Sequence, residues 1–482
     1  MKEIETTITV DDKIQKYWWA PALLSGALIG SSTAPYWPWA LFFAWTPIFL
    51  YWHKENSLIK IASSGFILQF ATNAIIFSWI SHGAQEFLQA STFHSLLVFL
   101  GFQFFLSGFI LSSTLMVICI KKFLFLIQLP SKTLLFLIPL IATLAIEITP
   151  ELIPWSPAHA LFFAHWPIAN LVDSISLFGL NFIVLALNTL IVYAVLSAHK
   201  VKIILFSILL FFCFQGLGLI SQKQRTDFKT LNVLIIQGNI SNQDKIDQWQ
   251  SVVKNKIVDH YLQLTKAALS KYDDRDIDVV IWPETAFPGY LDLEYKGLQQ
   301  SKKIYELVNK NKIHLITGAY SKKRRQLHPF ISLFSISPTQ EVSTYNKNIL
   351  VPFGEYLPLA SWLKNISLFN SLPPHKIGNK LSLINVKSVL LGPQICYESI
   401  FYQQAKQLKE KGAQILLTIS NDSWFGQNEP IQHALLNQVN ARRLHLPLIR
   451  VTNSGQSLVT DPNGNTIARP PSQKAHFQLI EV

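Results

Sequence analysis

Arginine is missing from the first 220 residues of this 482-residue chain, where all ten Lys and Arg positions are lysine. Cysteine is scarce too, with three in total, and charged residues make up 15% of the chain against 50% hydrophobic. So few cysteines exclude a disulfide-stapled scaffold, and Cys119 and Cys213 sit in apolar stretches where a thiol behaves as a small hydrophobe. The histidines show no metal-ligand spacing, and neither a Gly-rich phosphate loop nor a dinucleotide fingerprint occurs, so no metal and no cofactor is expected. No basic run is long enough to argue for nucleic acid; the densest, Lys322, Lys323, Arg324 and Arg325, reads as a solvated loop. Internal repeats and low-complexity segments are likewise missing.

What the chain has in quantity is apolar length. Stretches at 18–32, 39–52, 58–80, 96–120, 134–148, 177–197 and 203–220 are rich in Phe, Leu, Ile and Trp. A membrane span needs ~20 apolar residues, so the first, second and fifth are short and read as tilted, extended or re-entrant. The lysines of this half are Lys2, Lys13, Lys16, Lys54, Lys60, Lys121, Lys122, Lys132, Lys200 and Lys202, and all fall on one side of a seven-span reading. Short loops keep positive charge on the cytoplasmic side, so the N-terminus is expected inside and everything from about residue 221 outside. The leader 1–16 mixes both charge signs and precedes six further apolar stretches, which argues against a cleaved signal peptide. The expected domains are a transmembrane domain of about seven helices over 1–220 and an exported domain over 221–482, joined by a short polar segment. The formal charge of +12, on a domain held at a membrane, points to anionic lipid headgroups.

Beyond residue 230 the pattern changes. Short runs rich in β-branched residues at 232–236, 279–282, 314–317, 389–391 with Ile395, 415–419, 448–451 and 457–460 alternate with helical patterns at 248–271, 305–312, 399–411 and 431–444. Such alternation predicts one α/β domain with helices covering the sheet. Asp461-Pro462-Asn463-Gly464 reads as a tight turn between late strands.

Cys396 is the one cysteine of this domain, and in an oxidising compartment a thiol without a partner is either buried and inert or kept for chemistry. It ends a strand-like run and opens Tyr397, Glu398 and Ser399, so it is predicted at a strand-to-helix turn, where the helix end favours a thiolate. Efficient attack at neutral pH also needs a base or a cation. Glu284, in Trp282-Pro283-Glu284-Thr285, has aromatic and proline neighbours that raise a carboxylate's proton affinity, so it reads as a base or else as a turn cap. Lys347, in Tyr345-Asn346-Lys347-Asn348, reads as a solvent-facing charge or, if near Cys396, as an oxyanion-stabilising cation beside the Tyr397 N–H.

Five segments in order then carry a resemblance: Trp-Pro-Glu at Glu284, Tyr-Asn-Lys at Lys347, Pro-Phe-Gly-Glu-Tyr at Glu355, Cys-Tyr-Glu at Cys396, and Ser420-Asn421-Asp422-Ser423-Trp424-Phe425-Gly426. Together they resemble the Glu/Lys/Cys triad of the nitrilase superfamily, an αββα sandwich of carbon-nitrogen hydrolases and related acyl transferases. With the apolar half in front, the chain is similar to that superfamily's membrane-anchored branch. The fold class so implied is a multi-pass α-helical membrane domain followed by a nitrilase-like αββα sandwich.

The resemblance implies Glu284 as general base, Lys347 as oxyanion cation and Cys396 as nucleophile. It implies Glu355 and Glu398 as supporting acids, Tyr397 and Trp424 near an acyl-binding cleft, and Trp249 as the nearest match to a tryptophan after the first strand. Members commonly end in a further transmembrane helix; here 476–482 is strand-like, so the domain is expected to hang from its N-terminal side. The implied reaction moves an acyl chain from a membrane phospholipid, through a Cys396 thioester, to the α-amine of a diacylated apolipoprotein, on the periplasmic side of a bacterial inner membrane.

Two acyl-chain substrates make a site at the bilayer surface advantageous, because extracting each CH2 into water costs ~0.8 kcal/mol. The segment 357–372, with Leu359, Trp362, Leu363, Ile366, Leu368 and Phe369, is apolar for an exported loop and is expected to graze the membrane, unless it is a core helix. The connection 149–173, with Trp155, Phe162, Phe163 and Trp166, has interfacial character. Two rivals remain: a membrane-anchored amidase using the same three residues on a small exported amide, and a transporter or sensor with a catalytically dead binding module.

Overall fold

The computed structural model describes residues 17–130, 132–221, 230–273, 275–292, 298–323, 326–363, 365 and 374–482. The chain divides into two compact units, Met1–Ser78 with Leu96–Gln222 and Trp79–Ser95 with Lys223–Val482. The connection Trp79–Ser95, which lies within the half expected to be transmembrane, thus groups with the C-terminal unit.

The first unit is helical. Among the described residues, four of its helices are long and apolar enough to cross a membrane: Leu58–Ile76, Gly108–Leu126, Pro167–Leu196 and Lys200–Ile220. Ala20–Ser31, Thr92–Phe102 and Thr133–Ile148 are apolar but shorter. The expected stretch 39–52 breaks into a tight turn, Pro38–Phe42, and a helix, Thr46–Lys54. The expected stretch 96–120 breaks as well, because Ser107 takes a φ of +51° between two helices. The carbonyls freed there find partners: Gln69 Nε2 donates to Gln103 O at 2.7 Å and Asn73 Nδ2 to Leu106 O at 3.0 Å. Irregular backbone inside an apolar unit needs such donors, since no water is there to supply them. Trp155, expected at an interface, is buried; its ring packs on Phe109 and its Nε1 donates to Ser107 Oγ at 2.9 Å. In Lys200–Ile220 only Gly218 is buried, leaving a face of Leu, Ile and Phe that water would not tolerate.

The second unit holds two sheets of six strands. In chain order the strands are β1 Asn232–Gln237, β2 Val279–Ile281, β3 Leu315–Ser321, β4 Phe330–Ile336, β5 Val342–Asn346, β6 Ile384–Val386, β7 Val389–Ile395, β8 Ile415–Ser420, β9 Leu448–Thr452, β10 Leu458–Thr460, β11 Thr466–Ala468 and β12 His476–Glu481. One sheet runs β12-β1-β2-β3-β4-β5 and the other β11-β10-β9-β8-β7-β6. Each has a parallel middle, β1-β2-β3 and β7-β8-β9, and antiparallel outer strands.

Side-chain alternation explains the layers. Val233 and Ile235 of β1 join Ile415, Leu417 and Ile419 of β8 in a core between the sheets. Leu234 and Ile236 face the other way, against Ile257, Val258 and Tyr261 of the helix Ser251–Lys271. Leu416 likewise packs on Ala405 and Leu408 of Tyr402–Glu410 and Ala441 of Asn428–Leu444. Strands buried on both faces read as unbroken apolar runs, and the result is an αββα sandwich.

Candidate active site

Glu284 lies just past the end of β2, in a turn where Thr285 takes a φ of +47°. β3 holds that turn closely: Gly318 N–H donates to the Pro283 carbonyl at 3.1 Å, and Phe287 N–H donates to the Gly318 carbonyl at 3.0 Å. A Cβ on Gly318 would stand 2.5 Å from the Thr285 nitrogen and 2.6 Å from Glu284 Cα, so glycine alone permits the approach.

Lys347 follows β5 and is fully buried, which removes its reading as a solvent-facing charge. Its Nζ donates to Glu355 Oε1 at 2.5 Å and to Glu284 Oε1 at 3.3 Å. The remaining carboxylate oxygens are held by main-chain donors, Glu284 Oε2 by Asn421 N–H at 3.0 Å and Glu355 Oε2 by Val351 N–H at 2.9 Å.

Cys396 ends β7 and opens a one-turn 3-10 helix, Cys396–Ile400, with a φ of +52°. Its sulfur, a ring nitrogen of His433 and a carboxylate oxygen of Asp422 all lie within 4.8 Å of one another. The charges of Glu284, Lys347, Asp422 and Glu355 all act on the thiol.

Glu398 fastens the cysteine turn to the lysine loop. Its Oε1 accepts from Asn348 N–H at 2.6 Å, Ile349 N–H at 3.2 Å, Tyr345 OH at 2.9 Å and Gln404 Nε2 at 2.8 Å. Its Oε2 accepts from Ile395 N–H at 2.7 Å. One buried carboxylate thereby sets the register of two reactive segments from two different sheets.

Burial pushes the Glu284 carboxyl above the usual carboxylate range, Lys347 opposes, and Glu355 and Asp422 add to the rise. Burial alone would lower Lys347, but Glu284 and Glu355 outweigh it and hold the ammonium well above the ordinary lysine value. Burial first, then Glu284, pushes the Cys396 thiol well up, against a smaller opposing pull from Lys347. The turn after Cys396 was expected to favour a thiolate; it is a single 3-10 turn in a buried acidic setting, where burial and Glu284 push the thiol up.

The other candidates lie as follows. Tyr397 is half-buried and meets Phe401 edge-on at 4.9 Å. Trp424 lies in the turn Ser423–Phe425, edge-on to Phe87 at 5.3 Å. Phe87 belongs to the helix Trp79–Leu88, whose Trp79 Nε1 donates to Gln432 Oε1 at 3.1 Å and whose Gly83 leaves room for the Phe425 ring. Trp249 is 50% exposed, at 5.1 Å from the Tyr320 ring and 6.1 Å from the Tyr290 ring. The charges of Glu284 and Glu355 reach Tyr320, the ring on which Trp249 packs. Leu359 and Trp362 are exposed; the side chain of Leu363 and residues Ile366, Leu368 and Phe369 lie outside the described residues.

Several buried polar residues went unnoticed in the sequence. Lys245 Nζ donates to the Thr285 carbonyl at 2.6 Å, and burial lowers its pKa to about 8. Arg450 Nη2 donates to Asp422 Oδ2 at 2.8 Å with neither side chain exposed. An arginine inside the apolar run 448–451 was a visible signal for Arg450; nothing comparable marks Lys245. Among the described residues, Cys396, Asp422 and His433 are the group that could hold a metal ion. The donors are committed elsewhere, however: Asp422 is neutralised by Arg450, and His433 Nε2 lies 3.0 Å from the Cys396 carbonyl.

Residues 235–480 match the carbon-nitrogen hydrolase family. An apolipoprotein N-acyltransferase of Bdellovibrio bacteriovorus is 32% identical over 474 residues, covering 93% of this chain and 85% of its own. One of Wigglesworthia glossinidia brevipalpis is 30% identical over 486 residues, covering 96% and 91%. A solved carbon-nitrogen hydrolase of Helicobacter pylori aligns over 52% of this chain and 88% of its own, at 18% identity and a TM-score of 0.38. The chain belongs to the carbon-nitrogen hydrolase family and, within it, to the apolipoprotein N-acyltransferases. It is an acyltransferase and a membrane protein.

Proposed function

We propose that this enzyme moves an acyl chain from a membrane phospholipid to the free α-amine of a diacylglyceryl-cysteine at a lipoprotein N-terminus, through a thioester on Cys396. The observation that carries the reading is the buried Lys347 ammonium, shared by Glu284 and Glu355 and acting on the Cys396 sulfur. Glu284 takes the thiol proton as sulfur attacks the ester carbon; the carbon–oxygen bond breaks, and the proton passes to the departing lysophospholipid. Lys347 and the Tyr397 N–H stabilise the oxyanion of the tetrahedral intermediate. The amine then attacks the thioester, the carbon–sulfur bond breaks, and Glu284 carries the amine proton back to sulfur. A thiol with a raised pKa suits this order, because it loses its proton only as the ester carbon arrives.

The catalytic unit works on the periplasmic side of the inner membrane, in keeping with the lysine distribution. Intact-mass measurement of the protein mixed with a defined phospholipid tests the reading. The expected result is one added acyl mass, lost on addition of a diacylglyceryl-cysteine peptide and never gained by Cys396→Ala. Acyl transfer that persists in Cys396→Ala overturns it, and release of free fatty acid in place of transfer favours a hydrolase.

A further inference from the structure

Arg450, Asp422, His433 and Glu429 form a buried chain of charges that the transfer steps above leave unused. Asp422 Oδ1 lies 3.2 Å from His433 Nδ1, and Glu429 Oε1 lies 3.3 Å from the same nitrogen. At the opposite end of the ring, His433 Nε2 lies 3.0 Å from the Cys396 carbonyl oxygen and 2.9 Å from Ser399 Oγ. Ser399 gives its own proton to that carbonyl, at 2.8 Å, so its lone pairs are left facing the ring. The imidazole therefore meets acceptors at hydrogen-bond distance at Nε2 and two carboxylate oxygens at ion-pair distance, outside hydrogen-bond geometry, at Nδ1. A neutral ring would turn a lone pair toward one set of them, whereas an imidazolium presents an N–H and positive charge to both. Burial and Arg450 lower the proton affinity of His433, and Asp422 and Glu429 more than restore it.

The target of this cation matters. Cys396 has a φ of +52°, a conformation that a residue with a Cβ keeps only when its surroundings hold it there. The peptide after Cys396 is planar, with the carbonyl oxygen on one edge and the Tyr397 N–H on the other. Fixing the oxygen fixes the direction of the N–H.

We propose that His433 is a positioning residue: held as an imidazolium by Asp422 and Glu429, it clamps the Cys396 carbonyl and so aims the Tyr397 N–H at the oxyanion. This rests on the thioester reading above. The test compares His433→Gln with His433→Asn in the full-length protein in detergent micelles, with a phospholipid carrying a labelled acyl chain and a synthetic diacylglyceryl-cysteine peptide. The Gln amide nitrogen reaches the place of Nε2 and can still donate to the carbonyl; the Asn amide stops at the place of Nδ1. His433→Asn is expected to lose roughly 10²-fold in kcat, the lower end of what removal of an oxyanion donor costs, with KM for the phospholipid unchanged. His433→Gln is expected to exceed it by about tenfold, a partial recovery of that loss. Equal kcat in the two variants, or a loss expressed in KM, overturns the proposal. Cys396→Ala run alongside separates the failures: transfer by that variant sinks the thioester reading itself, while a dead Cys396→Ala with equal Gln and Asn variants sinks only the role of His433.

Discussion

Lys347 keeps its charge in a buried site because two carboxylates share it, and the sign of each shift dictates what pH does. The lysine's folded pKa is raised, so its contribution to stability is complete below its ordinary 10.5 and is lost only as pH climbs through the higher folded value. Glu284 is also raised, from 4.5, so the folded state prefers it protonated and its ionisation costs stability as pH rises through the folded value. Glu284→Gln is therefore expected to abolish acyl-enzyme formation, by roughly 10²- to 10⁴-fold, while melting no lower than the parent at pH 7. For the parent, the acid limb of acyl-enzyme formation should lie above 4.5, the ordinary glutamate value, in a stopped-flow pH series.

Asp422 behaves oppositely. Burial alone would raise it, but Arg450 and His433 hold its carboxyl well below the usual range. Asp422→Asn leaves the Arg450 guanidinium buried without its anion and should cost about 3–5 kcal/mol in urea unfolding; a change under 1 kcal/mol would contradict the pairing. Glu284, Lys347 and Cys396 were legible in sequence because each stands in a distinctive short string. His433 and Lys245 were not, since what makes a buried polar side chain matter is the partner across the fold.

Among the elements, the turn bearing Glu284 depends on a strand that lacks a side chain at one point. Gly318→Ala would push a methyl group against the backbone of Thr285 and Glu284, which cannot swing aside as a side chain could. The expected cost is about 1–3 kcal/mol, the usual penalty of overpacking, with slower acyl-enzyme formation from a displaced carboxylate; parent-like melting and parent-like rates would show that the turn yields. β1, β8 and β9 were readable because strands buried on both faces form apolar runs. β5, with Ser343 and Thr344 exposed at a sheet edge, and the three-residue β6 and β11 carry no such run. The break at Ser107 was hidden for a related reason: the donors that permit it, Gln69 and Asn73, come from another helix.

For the whole molecule, the proposed transfer from a membrane phospholipid requires that part of the catalytic unit meet the bilayer. Trp362 is 82% exposed and Leu359 73% exposed, which is costly in water and favourable in an interface. Trp362→Ser is expected to slow turnover of vesicle phospholipid several-fold more than turnover of a short soluble ester, since burial of one large side chain is worth roughly 1.5–3 kcal/mol. Equal effects on the two substrates would remove the residue from the membrane surface. The lysine distribution conveyed a membrane half directly. Helix length did not follow from it, because polar side chains on neighbouring helices decide where apolar runs can break.

The pairing of β1 with β12 has a consequence for how the enzyme comes into being. The first strand of the catalytic unit waits for its last, Asn232 lying opposite Glu481, so the sheet that ends in Glu284 and Lys347 keeps an open edge until residues 476–481 have been synthesised. Cys396 is made long before that. The sulfur is thus made before β12 has covered the edge of β1, and completion of this open sheet is tied to the order in which its strands are synthesised.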